Sequence, residues 1–277
     1  MYNTLIEVQT LYENLKTADW VIIDCRFSLA DTNAGHDAYL EAHIPGAVYA
    51  HLDNDLSGPP LTDSGRHPLP SPEALIALFS RLGISNDTQV VAYDSAGGML
   101  ASRLWWMLRY MGHEAAAVLN GGWQKWQAAD HPTSSGAEHN TAATFEGEPD
   151  LDQLVRVDDV LDAQLLVDSR DAPRYKGETE PLDHVAGHIP GAVNFPFKQN
   201  LGDDGRFRSP KQLHEKFTSL LGDTAADEAT FYCGSGVSAC VNLLALAHAG
   251  LGNGRLYVGS WSEWSSDENR PMITKES

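Results

Sequence analysis

Cysteine is scarce in this chain: Cys25, Cys233 and Cys240 are the three thiols among 277 residues. They form neither a CxxC motif nor a cluster with histidine at zinc-site spacing, so the sequence predicts no disulfide framework, no metal and no other cofactor. Free thiols without a disulfide pattern are typical of a reducing compartment, and we therefore expect a cytoplasmic protein.

Basic residues and long apolar runs are also lacking. Nineteen Lys and Arg stand against 38 Asp and Glu, a formal net charge of -19. This field repels phosphate backbones and anionic lipid headgroups, so we expect neither nucleic acid nor a membrane as partner. No run approaches the roughly 18 apolar residues of a membrane span. The N-terminus also lacks the basic segment and apolar stretch of a signal peptide.

Internal similarity divides the chain into two halves. Four segments of the first half return in the same order in the second. The pairs are VIIDCRF (21–27) with LLVDSRD (165–171), AHIPGAVY (42–49) with GHIPGAVN (187–194), VVAYDSAGGMLAS (90–102) with TFYCGSGVSACV (230–241), and LNGGWQKW (119–126) with YVGSWSEW (257–264). A period this long indicates duplicated domains rather than a solenoid. The repeat and a polar stretch between its halves predict domains at 1–129 and 151–277, joined by a linker at 130–150.

Each half alternates short β-branched runs with helical stretches. Examples are QVVAYD followed by MLASRLWWMLRYMG, and ATFYC followed by ACVNLLALAHAGL. Alternating strands and helices predict an α/β fold, in which each domain is a parallel sheet covered by helices on both faces. Ligands of such sheets bind beyond the carboxyl ends of the strands.

Cys233 lies at that edge, between a strand and a helix, in a loop of sequence GSGVS. Backbone N–H groups at a helix N-terminus favour a thiolate. Gly234 and Gly236 let the backbone wrap closely, and the hydroxyls of Ser235 and Ser238 can donate as well. The alternative to a reactive thiol is a cysteine that serves as a small buried apolar residue, and this is how we interpret Cys25 and Cys240.

Two comparisons within the sequence limit the chemistry of this loop. A cysteine-dependent phosphatase needs an arginine six residues after its cysteine, and Ala239 stands there, which disfavours phosphatase action. In the first half, Asp94 occupies the position of Cys233 and cannot carry a sulfur atom. We therefore expect the first domain to be catalytically silent.

Several motifs resemble those of the two-domain rhodanese-like sulfurtransferases. They are DCRF and DSRD, the paired HIPGAV segments, the terminal GSWSEWSSDENRP, and above all CGSGVSA, which is similar to the loop of 3-mercaptopyruvate sulfurtransferases. The resemblance covers nearly the whole chain. It implies that the Cys233 thiolate takes sulfur from 3-mercaptopyruvate as a persulfide and passes it to a thiol or cyanide, with a thioredoxin-like protein among the acceptors.

The resemblance also implies roles for further residues. Arg174, in a DxRxxxRY pattern, is expected to bind the anionic end of the donor, while Arg170 and Arg26 form internal ion pairs. Loop residues Gly234, Gly236, Val237 and Ser238 are expected to line the donor site. In the family a relay joins the loop serine to a histidine and an aspartate of the first domain, in a cleft between domains. Those positions fall here on Ser235, His67 and Asp55, with Asp53 or Asp63 as alternatives to Asp55.

At one position the sequence differs from the family, and the identity of the sulfur donor is therefore not decided by the resemblance. Animal mercaptopyruvate enzymes have another substrate arginine where this chain has Leu182, so we expect fewer cations at the donor's carboxylate. Thiosulfate is the alternative donor. A non-catalytic sulfur carrier or protein-binding module on the same fold is the alternative to an enzyme.

Overall fold

The computed structural model describes residues 1–62 and 64–275. Their contacts separate into two compact units. The first unit comprises Met1–Gly58, Pro70–Asp150 and Asp203–Phe207, and the second comprises Pro59–Leu69, Leu151–Gly202 and Arg208–Ser277.

The first unit is built on a parallel sheet of five described strands in the order β1-β5-β4-β2-β3. Its strands are β1 (Leu5–Ile6), β2 (Trp20–Asp24), β3 (Val48–Tyr49), β4 (Gln89–Tyr93) and β5 (Ala116–Leu119). Its helices are α1 (Val8–Asn14), α2 (Ala34–Glu41), α3 (Pro72–Arg81), α4 (Met99–Tyr110) and α5 (Gly122–Ala128). Strand β4 is buried along its whole length, which agrees with the apolar run that follows Gln89.

The second unit repeats this topology, with described strands in the order β6-β10-β9-β7-β8, all parallel. Its strands are β6 (Leu154–Val155), β7 (Leu165–Asp168), β8 (Val193–Asn194), β9 (Ala229–Tyr232) and β10 (Arg255–Tyr257). Its α-helices are α6 (Ala172–Tyr175), α7 (Pro210–Leu221), α8 (Ala239–His248) and α9 (Ser260–Trp264). Short 3-10 helices cover Leu151–Gln153, Val157–Asp162, Phe197–Asn200 and Ala226–Glu228. The predicted α/β fold is confirmed, with a parallel sheet and helices in each unit.

Local sequence explains where the longer helices begin. Helices α3 and α7 each start with Pro after a serine, and Pro tolerates the first helical position because its missing N–H would be unpaired there. Ser71 caps α3 by accepting the N–H of Ala74, and Ser209 forms a reciprocal capping box with Gln212.

The compact units differ in their bounds from the predicted domains 1–129 and 151–277, which stay a prediction. Residues 130–150, predicted to be a linker, pack along the first unit: Ser134 pairs with His43, and Phe145 is buried against Phe79. Residues 59–69 belong by their contacts to the second unit, and residues 203–207 to the first. Composition does not reveal such exchanges, because these segments are as polar and as rich in Gly and Pro as ordinary loops.

Each sheet has a buried ion pair at the end of one strand, β2 in the first unit and its counterpart β7 in the second, as predicted. Arg26 contacts Asp24 at 2.6 Å, and Arg170 contacts Asp168 at 2.6 Å. The carboxylate of each pair lies at the end of β2 or β7, and the arginine also donates to a backbone carbonyl. Both pairs are therefore internal supports. None of the described helices combines the length and the apolar character needed to cross a bilayer.

Candidate active site around Cys233

Cys233 is the first residue after β9, in the loop that leads to α8. Its N–H donates to the hydroxyl of Ser260 at 3.0 Å, and its carbonyl accepts the N–H of Trp261 at 3.0 Å. The carbonyl of Gly234 accepts the N–H of Ser262 at 2.9 Å. The start of α9 thus fixes the backbone on which the thiol is carried.

The surroundings of the Cys233 thiol favour its ionised form. The side chain is only 2% exposed, and burial by itself raises the pKa of a thiol. Hydrogen bonds from the Ser238 hydroxyl and from the N–H groups of Ser235, Ala239 and Gly236 outweigh that effect, so the pKa of Cys233 lies below its ordinary value. Four donors around a buried sulfur favour the ionised form, which is the nucleophilic form of a thiol.

The tight loop requires glycine at position 236. Gly236 has a φ of 73°, and a Cβ there would lie 2.3 Å from the carbonyl oxygen of Val258. Any larger residue would push the loop away from β10 and move the N–H groups off the sulfur. Val237, also named from the sequence, is buried beside it and accepts the N–H of Cys240 through its carbonyl.

Ser235 contacts His67, as the resemblance implies. Nδ1 of His67 lies 2.7 Å from Oγ of Ser235, and both residues are buried. His67 comes from segment 59–69, which belongs to the second unit although it lies in the first half of the sequence. The neighbouring Gly65 explains how the segment docks, because a Cβ there would lie 2.4 Å from the carbonyl oxygen of Gly259.

Arg174, in α6, lies next to Gly234. The point where a Cβ of Gly234 would lie is 3.2 Å from Nη2 of Arg174 and 3.0 Å from Nη2 of Arg66. Arg66 is not among the site residues predicted from the sequence. The available signal was its position directly before His67 in GRHPLP. Two guanidinium groups therefore border the residue after Cys233, although the sequence led us to expect fewer cations there.

Asp55, the predicted third member of the relay, lies in the first unit. Its carboxylate forms an ion pair with Arg81 and accepts the N–H of His51 at 2.8 Å. Asp53, one alternative, is exposed in the same loop, and Asp63, the other, lies outside the described residues. The third member of the relay therefore stays a prediction.

The first unit has the same loop with a carboxylate at its centre. Asp94 is 1% exposed and accepts the N–H groups of Ala96, Gly98, Leu100 and Ala101 at 2.7 to 2.9 Å. Burial raises the pKa of Asp94, and these four bonds offset that effect only in part. The ring of amides in this unit is thus filled by a fixed side chain.

The remaining thiols differ from Cys233. Cys25 is buried, and burial together with the charges of Asp24, Asp94 and Asp55 raises the pKa of its thiol well above the ordinary value. Cys240 is buried inside α8, with its sulfur 3.4 Å from the carbonyl oxygen of Gly236. All three cysteines are free, and residues 1–62 and 64–275 hold no group of three or more His, Cys, Asp or Glu placed to bind a metal.

Comparison with known proteins decides the family. The model of the rhodanese-like domain matches residues 7–129 and again 150–267. The chain belongs to the rhodanese family.

Relatives of this rhodanese chain carry sulfurtransferase names. A Pseudomonas aeruginosa protein named "Probable 3-mercaptopyruvate sulfurtransferase" is 45% identical over 98% of both chains. The thiosulfate sulfurtransferase of Bos taurus is 34% identical over 95% of this chain and 92% of its own. The solved 3-mercaptopyruvate sulfurtransferase of Leishmania major superposes with a TM-score of 0.86 at 31% identity, covering 98% of this chain and 76% of that one. The predicted resemblance to rhodanese-like sulfurtransferases, and with it the prediction of an enzyme, is confirmed.

Proposed function

We propose that this rhodanese transfers sulfur from 3-mercaptopyruvate to a thiol or cyanide through a persulfide on Cys233. The observation that carries the proposal is the Cys233 thiol itself, buried at a helix N-terminus with a lowered pKa and four hydrogen-bond donors. The relatives named for this donor support the choice of substrate.

In the first step the Cys233 thiolate attacks the sulfur of the donor. A sulfur–sulfur bond forms, and the carbon–sulfur bond of the donor breaks. The bonding pair leaves with the carbon as the enolate of pyruvate, which takes up a proton. The donors that stabilise the thiolate can then hold the charge of the persulfide in the same loop.

Arg174 is the proposed partner of the donor's carboxylate, because its charged guanidinium borders Gly234. Its Nε and Nη2 already donate to Glu180, which leaves the Nη1 side of the group for the donor. The other predicted loop residues, Gly236, Val237 and Ser238, shape the space around the sulfur. Gly236 supplies an N–H group and Ser238 a hydroxyl, and none of the three residues carries a charge.

Ser235 and His67 are the proposed proton source for the enolate. Their 2.7 Å contact lets the serine pass on a proton that the imidazole replaces. We keep Asp55 as the proposed third member, on the resemblance alone. Its ion pair with Arg81 would have to open for that role.

In the second step an acceptor thiolate, or cyanide, attacks the outer sulfur of the persulfide and releases the Cys233 thiolate. The acceptor needs only to reach the outer sulfur, so a small thiol and a thioredoxin-like protein both fit the proposal. A reducing, cytoplasmic setting remains part of the proposal, because the sequence has three cysteines and no disulfide pattern.

Thiosulfate is the second candidate donor, favoured by the two guanidinium groups beside Gly234, which suit a dianion. The test measures kcat/KM for 3-mercaptopyruvate and for thiosulfate, with cyanide as the common acceptor. We expect 3-mercaptopyruvate to be the better donor. A higher value for thiosulfate would overturn this choice, and turnover of neither donor would overturn the proposed reaction.

A further inference from the structure

The first unit contains a cleft of about 910 Å³ that does not include the loop of Asp94. It lies between α2, β3, the loop of residues 51–55, the C-terminal end of α3 and residues 137–142. Val48 and Leu82 are buried among its lining residues, and most of the others are polar or aromatic. A cleft of this size can hold a small organic molecule.

Two rings in this cleft are present in the first unit and missing from the second. Tyr49 occupies the second position of β3, and Asn194 occupies that position in β8. Two residues further along, the first unit has His51 and the second has Pro196. The repeated fold therefore forms without these rings. Their presence in the first unit points to a role other than folding the sheet.

The rings are held close together and in fixed orientations. The centroid of the Tyr49 ring lies 5.1 Å from that of His36 and 6.2 Å from that of His51. Nε2 of His51 donates to the carbonyl of Thr32 at 3.0 Å, and Nδ1 accepts the N–H of Asp53 at 3.1 Å. Because a carbonyl can only accept and an N–H can only donate, both bonds require the neutral imidazole. His51 therefore adds a ring to the cleft and no positive charge.

The charges of the cleft leave one carboxylate unbalanced. Arg81 and Asp55 form an ion pair, so their charges cancel. The Glu138 side chain is 42% exposed, and within the described residues it has no Lys or Arg at ion-pair distance. Nε2 of buried His43 lies 3.8 Å from it. Because Nδ1 of His43 donates to the carbonyl of Tyr39, Nε2 of the neutral ring is an acceptor and offers Glu138 no hydrogen.

We infer that this cleft binds a small organic ammonium ion, with its charge at Glu138 and its alkyl groups against the rings of Tyr49 and His36. The carboxylate attracts the positive charge, and so do the aromatic rings, whose faces are electron-rich. An anionic ligand would instead meet the unbalanced Glu138 and a chain of net charge -19. Glu138, Tyr49 and His36 have no role in the proposed sulfur transfer, so each proposal can fail without the other.

The test compares choline, a quaternary ammonium alcohol, with dimethylbutanol, the uncharged isostere in which carbon replaces nitrogen. Each probe is titrated into the full chain at about pH 8, where an ordinary histidine is neutral, and its dissociation constant is measured by NMR. Because only choline carries the charge that the carboxylate and the rings attract, we expect it to bind roughly fivefold more tightly. Equal affinities, or no saturable binding of choline, would overturn the inference.

Substitutions locate the site. Glu138→Gln should weaken choline binding roughly fivefold and leave binding of the isostere unchanged. Tyr49→Leu should weaken choline binding roughly threefold, whereas Tyr49→Phe keeps the ring and should bind choline normally. The matched control Glu148→Gln removes an exposed acid of the same unit that does not line the cleft, and it should have no effect. Equal effects of the two glutamate substitutions would indicate attraction to the overall charge and would overturn the inference.

The alternative is that the rings and Glu138 only hold residues 137–142 against α2. The N–H of Glu138 already donates to the hydroxyl of Tyr39 at 2.8 Å. In that case Glu138→Gln and Tyr49→Leu would lower the midpoint of urea unfolding without changing the affinity for choline, and the ammonium site would be wrong. If Tyr49→Leu fails to fold, His36→Leu removes a ring at an exposed position of α2 and should weaken choline binding to a similar extent.

Discussion

The loops after β4 and β9 share a backbone design and differ in the group that it surrounds. In the first unit the carbonyl of Asp94 accepts the N–H of Trp123 at 2.9 Å, and in the second the carbonyl of Cys233 accepts the N–H of Trp261 at 3.0 Å. Each loop then leads into a helix, α4 or α8. The duplicated sheet thus builds two rings of N–H groups.

The two loops use the same backbone arrangement around different side chains, a carboxylate in the first unit and a thiol in the second. The Asp94 carboxylate accepts four N–H groups and closes its loop. The same kind of donors lowers the pKa of Cys233, whose sulfur can bond to a further sulfur atom. Reactivity here follows from the central atom, whereas the surrounding amides stabilise negative charge in either case.

The largest expected effect comes from removing the sulfur. Cys233→Ser should reduce sulfur transfer to the rate of the uncatalysed reaction, because an oxygen at this position cannot carry a persulfide. Cys25→Ser and Cys240→Ser should retain most of the activity. Persulfide formation on each purified variant measures this, and loss of activity in a well-folded Cys240→Ser would show that the wrong thiol was chosen.

Removing the carboxylate from the first unit should affect stability instead. Asp94→Ala leaves four buried N–H groups without their acceptor and should lower the free energy of unfolding by about 1 to 3 kcal/mol. Turnover per folded molecule should stay nearly unchanged. Urea unfolding measures the loss, with Asp87→Ala, an exposed aspartate of the same unit, as control.

Asp94→Cys asks whether the first loop can be converted. We expect no second persulfide, because Ala96 and Met99 stand where the second unit has Ser235 and Ser238, so both hydroxyls are missing. Cyanide-labile sulfur per chain is the measurement. Two such sulfur atoms per chain would show that the loop after β4 can still hold a persulfide.

The Ser238 hydroxyl is expected to account for part of the lowered pKa of Cys233. The rate of alkylation by iodoacetamide is proportional to the fraction of Cys233 that is ionised. The pH at which this rate reaches half of its maximum should therefore be lower than for an ordinary cysteine. Ser238→Ala should move that midpoint to higher pH and slow alkylation at neutral pH by roughly tenfold. An unchanged profile would assign the lowered pKa to the backbone N–H groups alone.

The smallest expected effect concerns the start of α9. Ser260 has a φ of 56°, close to the 57° of Gly122, its counterpart in the first unit, and its hydroxyl accepts the N–H of Cys233. Ser260→Gly should relieve strain but remove that acceptor, slowing turnover by roughly threefold with little change in stability. A faster variant would show that the hydroxyl has no positioning role.

The sequence predicted those parts of the site that are local or duplicated. Cys233 and its loop follow directly from the order of strand, glycine-rich turn and helix, and the repeat aligns them with Asp94. The Arg170 pair is local as well, because Asp168 lies two residues away. These features depend on neighbours along the chain, where periodicity and turn chemistry are informative.

Long-range contacts account for what the sequence did not predict. Arg66 meets Asp183, 117 residues away, and no pattern within segment 59–69 marks it as part of the second unit. His67 was found only through the resemblance. The exchange of segments between units and the placement of residues 130–150 depend on packing, which composition does not encode.

The most direct test of the account is the position of the transferred sulfur. The protein is incubated with 3-mercaptopyruvate without an acceptor, digested, and its cysteine peptides are weighed by mass spectrometry. We expect one added sulfur atom on the peptide containing Cys233, and we expect cyanide to remove it. Added sulfur on Cys25 or Cys240, or release of pyruvate with no sulfur bound to the protein, would contradict it.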